Sequence, residues 1–125
     1  MLRPTVGSDM DLYHIWCDLK PGVRDVTLVE ATRNYLGQLK SEGLIADWRL
    51  TRRKLGLGAG GLGEFHLIIE TKNLAQLDEA FRYVSARAEP IEGAHHGLNS
   101  LVQNASFALY RDFPDPHRAF GEEKF

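Results

Sequence analysis

Four stretches of this chain alternate apolar and polar side chains with a period of two, and two helix-like stretches sit between them. The first alternating stretch, Asp11 to Leu19, is rich in aromatic and β-branched residues and is closed by Pro21-Gly22. Asp25 is a candidate N-cap for a helix in which Val26, Val29, Leu36 and Leu39 recur at three- and four-residue steps or their multiples, with Gly43 at the C-cap glycine position. Leu44 to Leu55 reads as a second strand, with Trp48 and Leu50 on one side and Asp47, Arg49 and Thr51 on the other. A glycine-rich hairpin leads into a third strand, Glu64 to Thr71, where Phe65, Leu67 and Ile69 alternate with Glu64, His66 and Glu70. Asn73 caps a second helix carrying Leu74, Leu77, Phe81, Val84 and Ala88, and Pro90 ends it. A segment from Glu92 to Asn104 suits a further short helix, and Ser106 to Phe113 alternates again as a fourth strand. Strand-helix-strand-strand-helix-strand is the split βαβ repeat of an α+β, ferredoxin-like βαββαβ fold, a four-stranded antiparallel sheet with two helices on one face. The expected division is a loose N-terminal arm over 1–10, one domain over 11–113 and a C-terminal tail over 114–125.

Such a sheet has one face under the helices and one without cover. Placing the more uniformly apolar set beneath the helices assigns Tyr13, Ile15, Cys17, Trp48, Leu50, Phe65, Leu67, Ile69, Phe107 and Leu109 to the core. The opposite face then holds Leu12, His14, Trp16, Ile45, Asp47, Arg49, His66, Ile68, Ala108 and Tyr110. Bulky apolar groups in that number mark an interaction surface, because monomers rarely expose contiguous apolar patches of several hundred Å². A second copy of the chain is the expected partner. On this layout, and on the segment Phe107-Ala-Leu-Tyr-Arg-Asp-Phe113, the chain resembles the dimeric α/β-barrel superfamily, with its stress-responsive barrel proteins and antibiotic-biosynthesis-type monooxygenases. The resemblance implies two sheets facing one another across a barrel. Cofactor-free oxygenases of that superfamily work with an asparagine, a tryptophan and a histidine. No spacing here matches that set, so no catalytic residue is carried across.

Composition narrows the function classes. Among 125 residues the formal net charge is −2, which gives no bulk attraction to nucleic acid or to an anionic membrane. Cys17 is the only cysteine, so an intrachain disulfide and a four-cysteine zinc site are excluded, and neither metal nor cofactor is expected. Residues 1–10 lack the apolar stretch of a secretory signal, and a cytoplasmic location is expected.

Strands one and three are neighbours in this topology, which brings His14 and His66 together on the open face beside Trp16 and Tyr110. Two imidazoles with an aromatic wall can bind a small molecule, act as a general base near neutral pH, or contribute to a metal site with a third group. Hydrogen bonding inside a dimer contact is the structural alternative. Arg49 is a candidate anion contact within the run Arg49, Arg52, Arg53 and Lys54, which serves equally as a solvated edge that resists aggregation. His95-His96 supplies a second pair, of which one ring can face a cavity, since adjacent helical positions point about 100° apart. Gly58-Ala-Gly-Gly-Leu-Gly63 satisfies G-x-G-x-x-G, but a strand follows it where a dinucleotide site needs a helix, so it reads as a flexible hairpin. The aromatic RNP1 pattern is absent from strand three.

The expected function is therefore a homodimeric barrel that binds a small, partly apolar molecule between its sheets, lined by His14, Trp16, Arg49, His66 and Tyr110. A cofactor-independent oxygenase, isomerase or decarboxylase with His14 or His66 as base is the enzymatic alternative. A structural interaction module is the third.

Overall fold

A computed structural model describes residues 9–114. Apart from residues 9, 10 and 114, the expected N-terminal arm and C-terminal tail lie outside the described residues. In chain order the elements are β1 (Asp11–Leu19), α1 (Asp25–Ser41), β2 (Asp47–Arg52), β3 (Phe65–Thr71), α2 (Leu74–Ser85), α3 (Ile91–Asn99) and β4 (Val102–Arg111). The four strands form one antiparallel sheet in the order β2-β3-β1-β4. This is the ferredoxin-like arrangement expected from the sequence, with α3 as a third helix after Pro90. Among the described residues no helix is long and apolar enough to cross a membrane.

β3 shows why alternation was a sound guide. Phe65, Leu67, Ile69 and Thr71 are buried while His66, Ile68 and Glu70 are not, so the period-two pattern maps directly onto the two faces. Above the buried face, Leu36, Leu39, Ile45, Leu67, Ile69, Ala80, Ile91 and Ala94 form the main core, and Cys17, Leu28 and Phe65 form a smaller one beside it. Burial pushes the Cys17 thiol up to about 11, which leaves it an inert apolar group.

Several local expectations are corrected. α1 turns Leu28, Thr32, Leu36 and Leu39 inward, whereas Val26 is exposed. Asp25 is the first helical residue rather than the cap; Arg24 holds that position, and Asp25 instead accepts from Arg52 at 3.0 Å. Asn73 does cap α2, accepting from the backbone N–H of Gln76 at 2.8 Å. Ile45 lies in the core and not on the open face, because β2 begins only at Asp47 and the chain entering it tucks Ile45 beneath α1 before alternation starts. Phe107 and Leu109 keep the predicted side of the sheet but are 61% and 53% exposed. β4 is an edge strand, and the helix layer ends short of it.

The turn before β3 depends on one glycine. A Cβ at Gly63 would stand 2.5 Å from the carbonyl carbon and oxygen of Cys17, which are backbone atoms of β1. That strand is fixed by ladders on both sides and cannot move aside. Gly63→Ala is expected to cost about 1–3 kcal/mol, read as a lower thermal midpoint. Gly60→Ala, where a Cβ meets nothing within 4 Å, is the control expected to leave the midpoint unchanged.

Candidate functional site

The open face is built from three cross-strand rows. Strand register aligns Arg49, Ile68, His14 and Ala108; the next row toward the β3 N-terminus holds Thr51, His66, Trp16 and Ser106, and the row on the other side holds Asp47, Glu70, Leu12 and Tyr110. His14 and His66 are thus diagonal neighbours, within reach of each other's side chains. The five residues singled out in sequence, His14, Trp16, Arg49, His66 and Tyr110, share this face. Their ligand-binding role is a separate matter from that placement.

His14 Nδ1 and His66 Nε2 are 2.8 Å apart. Their centroids are 5.0 Å apart with planes 20° from parallel, so the rings meet end to end rather than face to face, as an N–H···N hydrogen bond requires. Trp16 lies across both: its ring is 4.4 Å from His66 at 7° and 5.5 Å from His14 at 13°. Tyr110 meets His14 edge-on at 5.1 Å. The remaining nitrogen of His14, Nε2, is buried without a hydrogen-bond partner. Burial lowers the pKa of both histidines, and for His66 the nearby His14 adds to the effect. The neutral pair is therefore the form this packing favours. No group of three or more His, Cys, Asp or Glu side chains able to hold a metal occurs among the described residues.

A partly open pocket lies on the other side of the sheet. Between the helices and the sheet is a cavity of about 270 Å³ whose wall is predominantly apolar, including Ile15, Leu28, Leu50, Leu67, Leu77 and Val84. Tyr35 and His95 supply polar atoms to it, with ring centroids 5.1 Å apart. Thr32, also in the wall, is satisfied internally, its hydroxyl donating to the Leu28 carbonyl at 2.8 Å. Burial, with a smaller contribution from Tyr13, pushes the Tyr35 phenol up to about 12 and keeps it a neutral hydrogen-bonding group. Among the described residues, no Lys, Arg, Asp or Glu lines this wall. Phe81 and Phe107 flank Tyr13 where the helix layer gives out, Phe81 edge-on at 5.3 Å and Phe107 stacked at 6.1 Å.

Of the His95-His96 pair, His95 lines the cavity and His96 is exposed, as the angle between adjacent helical positions demands. Tyr35 was not singled out in sequence. Its signal is its place three residues after Thr32 on the inward stripe of α1, which becomes legible once the phase of that helix is known.

Comparison with known proteins gives fold relatives and one family. The family model described as "Family of unknown function (DUF6614)" matches residues 10–125. No curated protein sequence matches. A dimeric ferredoxin-like protein of unknown function from Jannaschia sp. CCS1 superimposes with a TM-score of 0.60 at 12% identity, over 81% of this chain and 97% of that one. A hydroxynitrile lyase from Passiflora edulis gives 0.63 at 10% identity, over 85% and 95% of the two chains. SnoaB, a cofactor-independent oxygenase from Streptomyces nogalater, gives 0.60 at 7% identity, over 86% and 98%. At such identities the likeness is one of fold.

Proposed function

The chain belongs to the DUF6614 family of unknown function, and from that premise we propose that it is a homodimeric small-molecule-binding protein whose ligand, uncharged and largely apolar, sits between the helices and the sheet. The observation that carries this reading is the cavity itself. Protein interiors pack with few voids larger than a water molecule. A pocket of about 270 Å³ with an apolar lining leaves those side chains facing water or short of packing partners, at a cost in stability. An apolar ligand removes that cost. With no full charge among the described residues of the wall, a phosphorylated or carboxylated ligand would lose its hydration without an ion partner there. Tyr35 and His95 supply the directional contacts that orient a bound molecule.

In this reading His14, Trp16, His66 and Tyr110 belong to the contact between protomers, with Arg49 at its border. Leu12, Trp16 and Ile68 give that face its apolar area, and several proteins of this fold are dimers by description. An enzymatic role is the second reading, favoured by the contact between Tyr35 and His95. Proton transfer to a bound molecule would run through these two groups, since His14 and His66 stand on the far side of the sheet.

An uncharged fluorescent probe, N-phenyl-1-naphthylamine, tests the site. Saturable enhancement with one probe per protomer is expected. Val84→Phe, which fills the cavity from α2, is expected to weaken binding at least about tenfold while the far-UV circular dichroism stays the same. Ile68→Lys, on the opposite face, is expected to leave probe binding unchanged. The reverse pattern would move the ligand to the space between the sheets.

A further inference from the structure

The end-to-end histidine couple lies on the face through which the proposed dimer forms, and this inference rests on that reading. A neutral couple holds one proton between Nδ1 of His14 and Nε2 of His66, one ring donating and the other accepting. Whichever ring donates, His14 Nε2 is left buried either as an unused lone pair or as an unused N–H. A first added proton makes one ring an imidazolium; the hydrogen bond between the rings survives, now charge-assisted, but a cation then stands inside the contact between protomers, where loss of water disfavours it. A second places N–H against N–H at a separation that suits a hydrogen bond, which removes the bond and sets two positive charges together.

We propose that the His14–His66 couple is an acid-sensitive latch of the homodimer, closed while the pair is neutral and released when protons are taken up. The charged groups around the couple are of both signs, so release is driven by loss of water from the protonated pair rather than by them. Arg49 of β2 stands in the same row as His14 with only Ile68 between them, so each added proton joins an existing cation. Tyr110 of β4 presents a ring edge and no charge to His14. Glu70 of β3 is the other diagonal neighbour of His14, at the same register offset as His66, and its carboxylate favours the added proton; Asp47 of β2 is one strand further away and is already paired with Lys40 at 3.2 Å. On the other side, Asp18 of β1 accepts from Asn104 and from the backbone N–H of Glu64, and the Glu64 carboxylate accepts from Arg52 at 2.7 Å. Among the described residues no helix covers this face. Two-fold symmetry doubles the effect, because every charge on one protomer has a copy on its mate.

The sign follows from the direction of the shifts. Burial holds both histidines below their ordinary value even within one protomer, and a further loss of water on association lowers them again. Separated protomers therefore bind more protons than the dimer, and the dimer weakens as pH falls through the window below the ordinary histidine pKa of about 6.5.

Sedimentation equilibrium of the full chain at pH 7.5 and pH 5.5 is the test, with near-ultraviolet circular dichroism to confirm that the protomer stays folded. One proton per protomer, taken up only on separation, raises the dimer dissociation constant between these pH values by up to about 100-fold, the figure reached at the ordinary histidine pKa of about 6.5. His66→Phe is expected to abolish most of that rise. Should this variant not fold, long-range ¹H–¹⁵N spectra of the wild-type imidazoles provide the second readout, and the His14 and His66 resonances must change over the same pH range as the mass. A dimer equally tight at both pH values overturns the latch while leaving the dimer intact. A monomer already at pH 7.5 overturns the dimer itself. Dissociation that persists in His66→Phe, or that coincides with unfolding, assigns the pH effect to other groups and overturns the latch.

Discussion

Ile68→Lys is expected to convert the dimer into folded monomers, raising the dissociation constant by at least about 1,000-fold, equivalent to roughly 4 kcal/mol. Ile68 lies midway along the row from Arg49 to His14, on the face away from the core. Lysine there brings a second cation beside Arg49 and finds no carboxylate in its own row. Burying an ammonium in an apolar contact costs several kcal/mol even with Glu70 two residues along the strand, and the two-fold relation imposes that cost twice. The core is on the other side of the sheet, so the circular dichroism of the monomer should remain that of the wild type. Apparent thermal stability will fall modestly, since the dimer no longer adds its binding energy by mass action. Analytical ultracentrifugation over a micromolar concentration range reads the outcome. A variant that still sediments as a dimer would show that the protomers meet elsewhere.

Leu36→Ala is expected to produce the largest loss of protomer stability, about 2–5 kcal/mol, with little room for the surroundings to close the gap. Leu36 is fully buried among Leu39, Ile45, Ile91 and Ala94. A loss of that size is a large fraction of the ~5–15 kcal/mol that holds an ordinary domain together. Val26→Ala on the same helix is the informative partner. Val26 is 44% exposed, and its replacement is expected to stay within about 0.5 kcal/mol of zero. Urea titrations of the two variants measure the rotational phase of α1. Comparable losses would mean that the helix turns Val26 inward as well.

That contrast shows where sequence reading of α1 went astray. Val26 and Val29 are β-branched and apolar, and with Leu36 and Leu39 they make a passable three-and-four pattern. Leu28 and Thr32 make a better one with the same two leucines, but Thr32 is polar and does not enter a pattern of apolar residues. Its hydroxyl is satisfied by the Leu28 carbonyl within the helix, so its burial leaves no unpaired group. A polar side chain that bonds its own helix is invisible to a pattern of apolar residues.

The open face was more fully legible. Strand pairing follows from the element order, and period-two alternation then brings His14, Trp16, His66 and Tyr110 onto one surface. Their contact needs only the register between neighbouring strands, which is set within a few residues of chain. The cavity was not legible. Its wall draws on β1, α1, β2, β3, α2, α3 and β4 together, and its volume is what those elements leave unfilled.

The sequence by itself determined the order of elements, the two faces of each strand and the crowding of imidazole and indole on one of them, because the pleat of a strand is a local property of the backbone. Only the tertiary structure decided how far the helix layer reaches. That reach left Phe107 and Leu109 open at the β4 edge, drew Ile45 inward, and turned His95 rather than His96 toward an interior space. Coverage is a sum over side chains far apart in the chain, each packed against neighbours that no local period specifies.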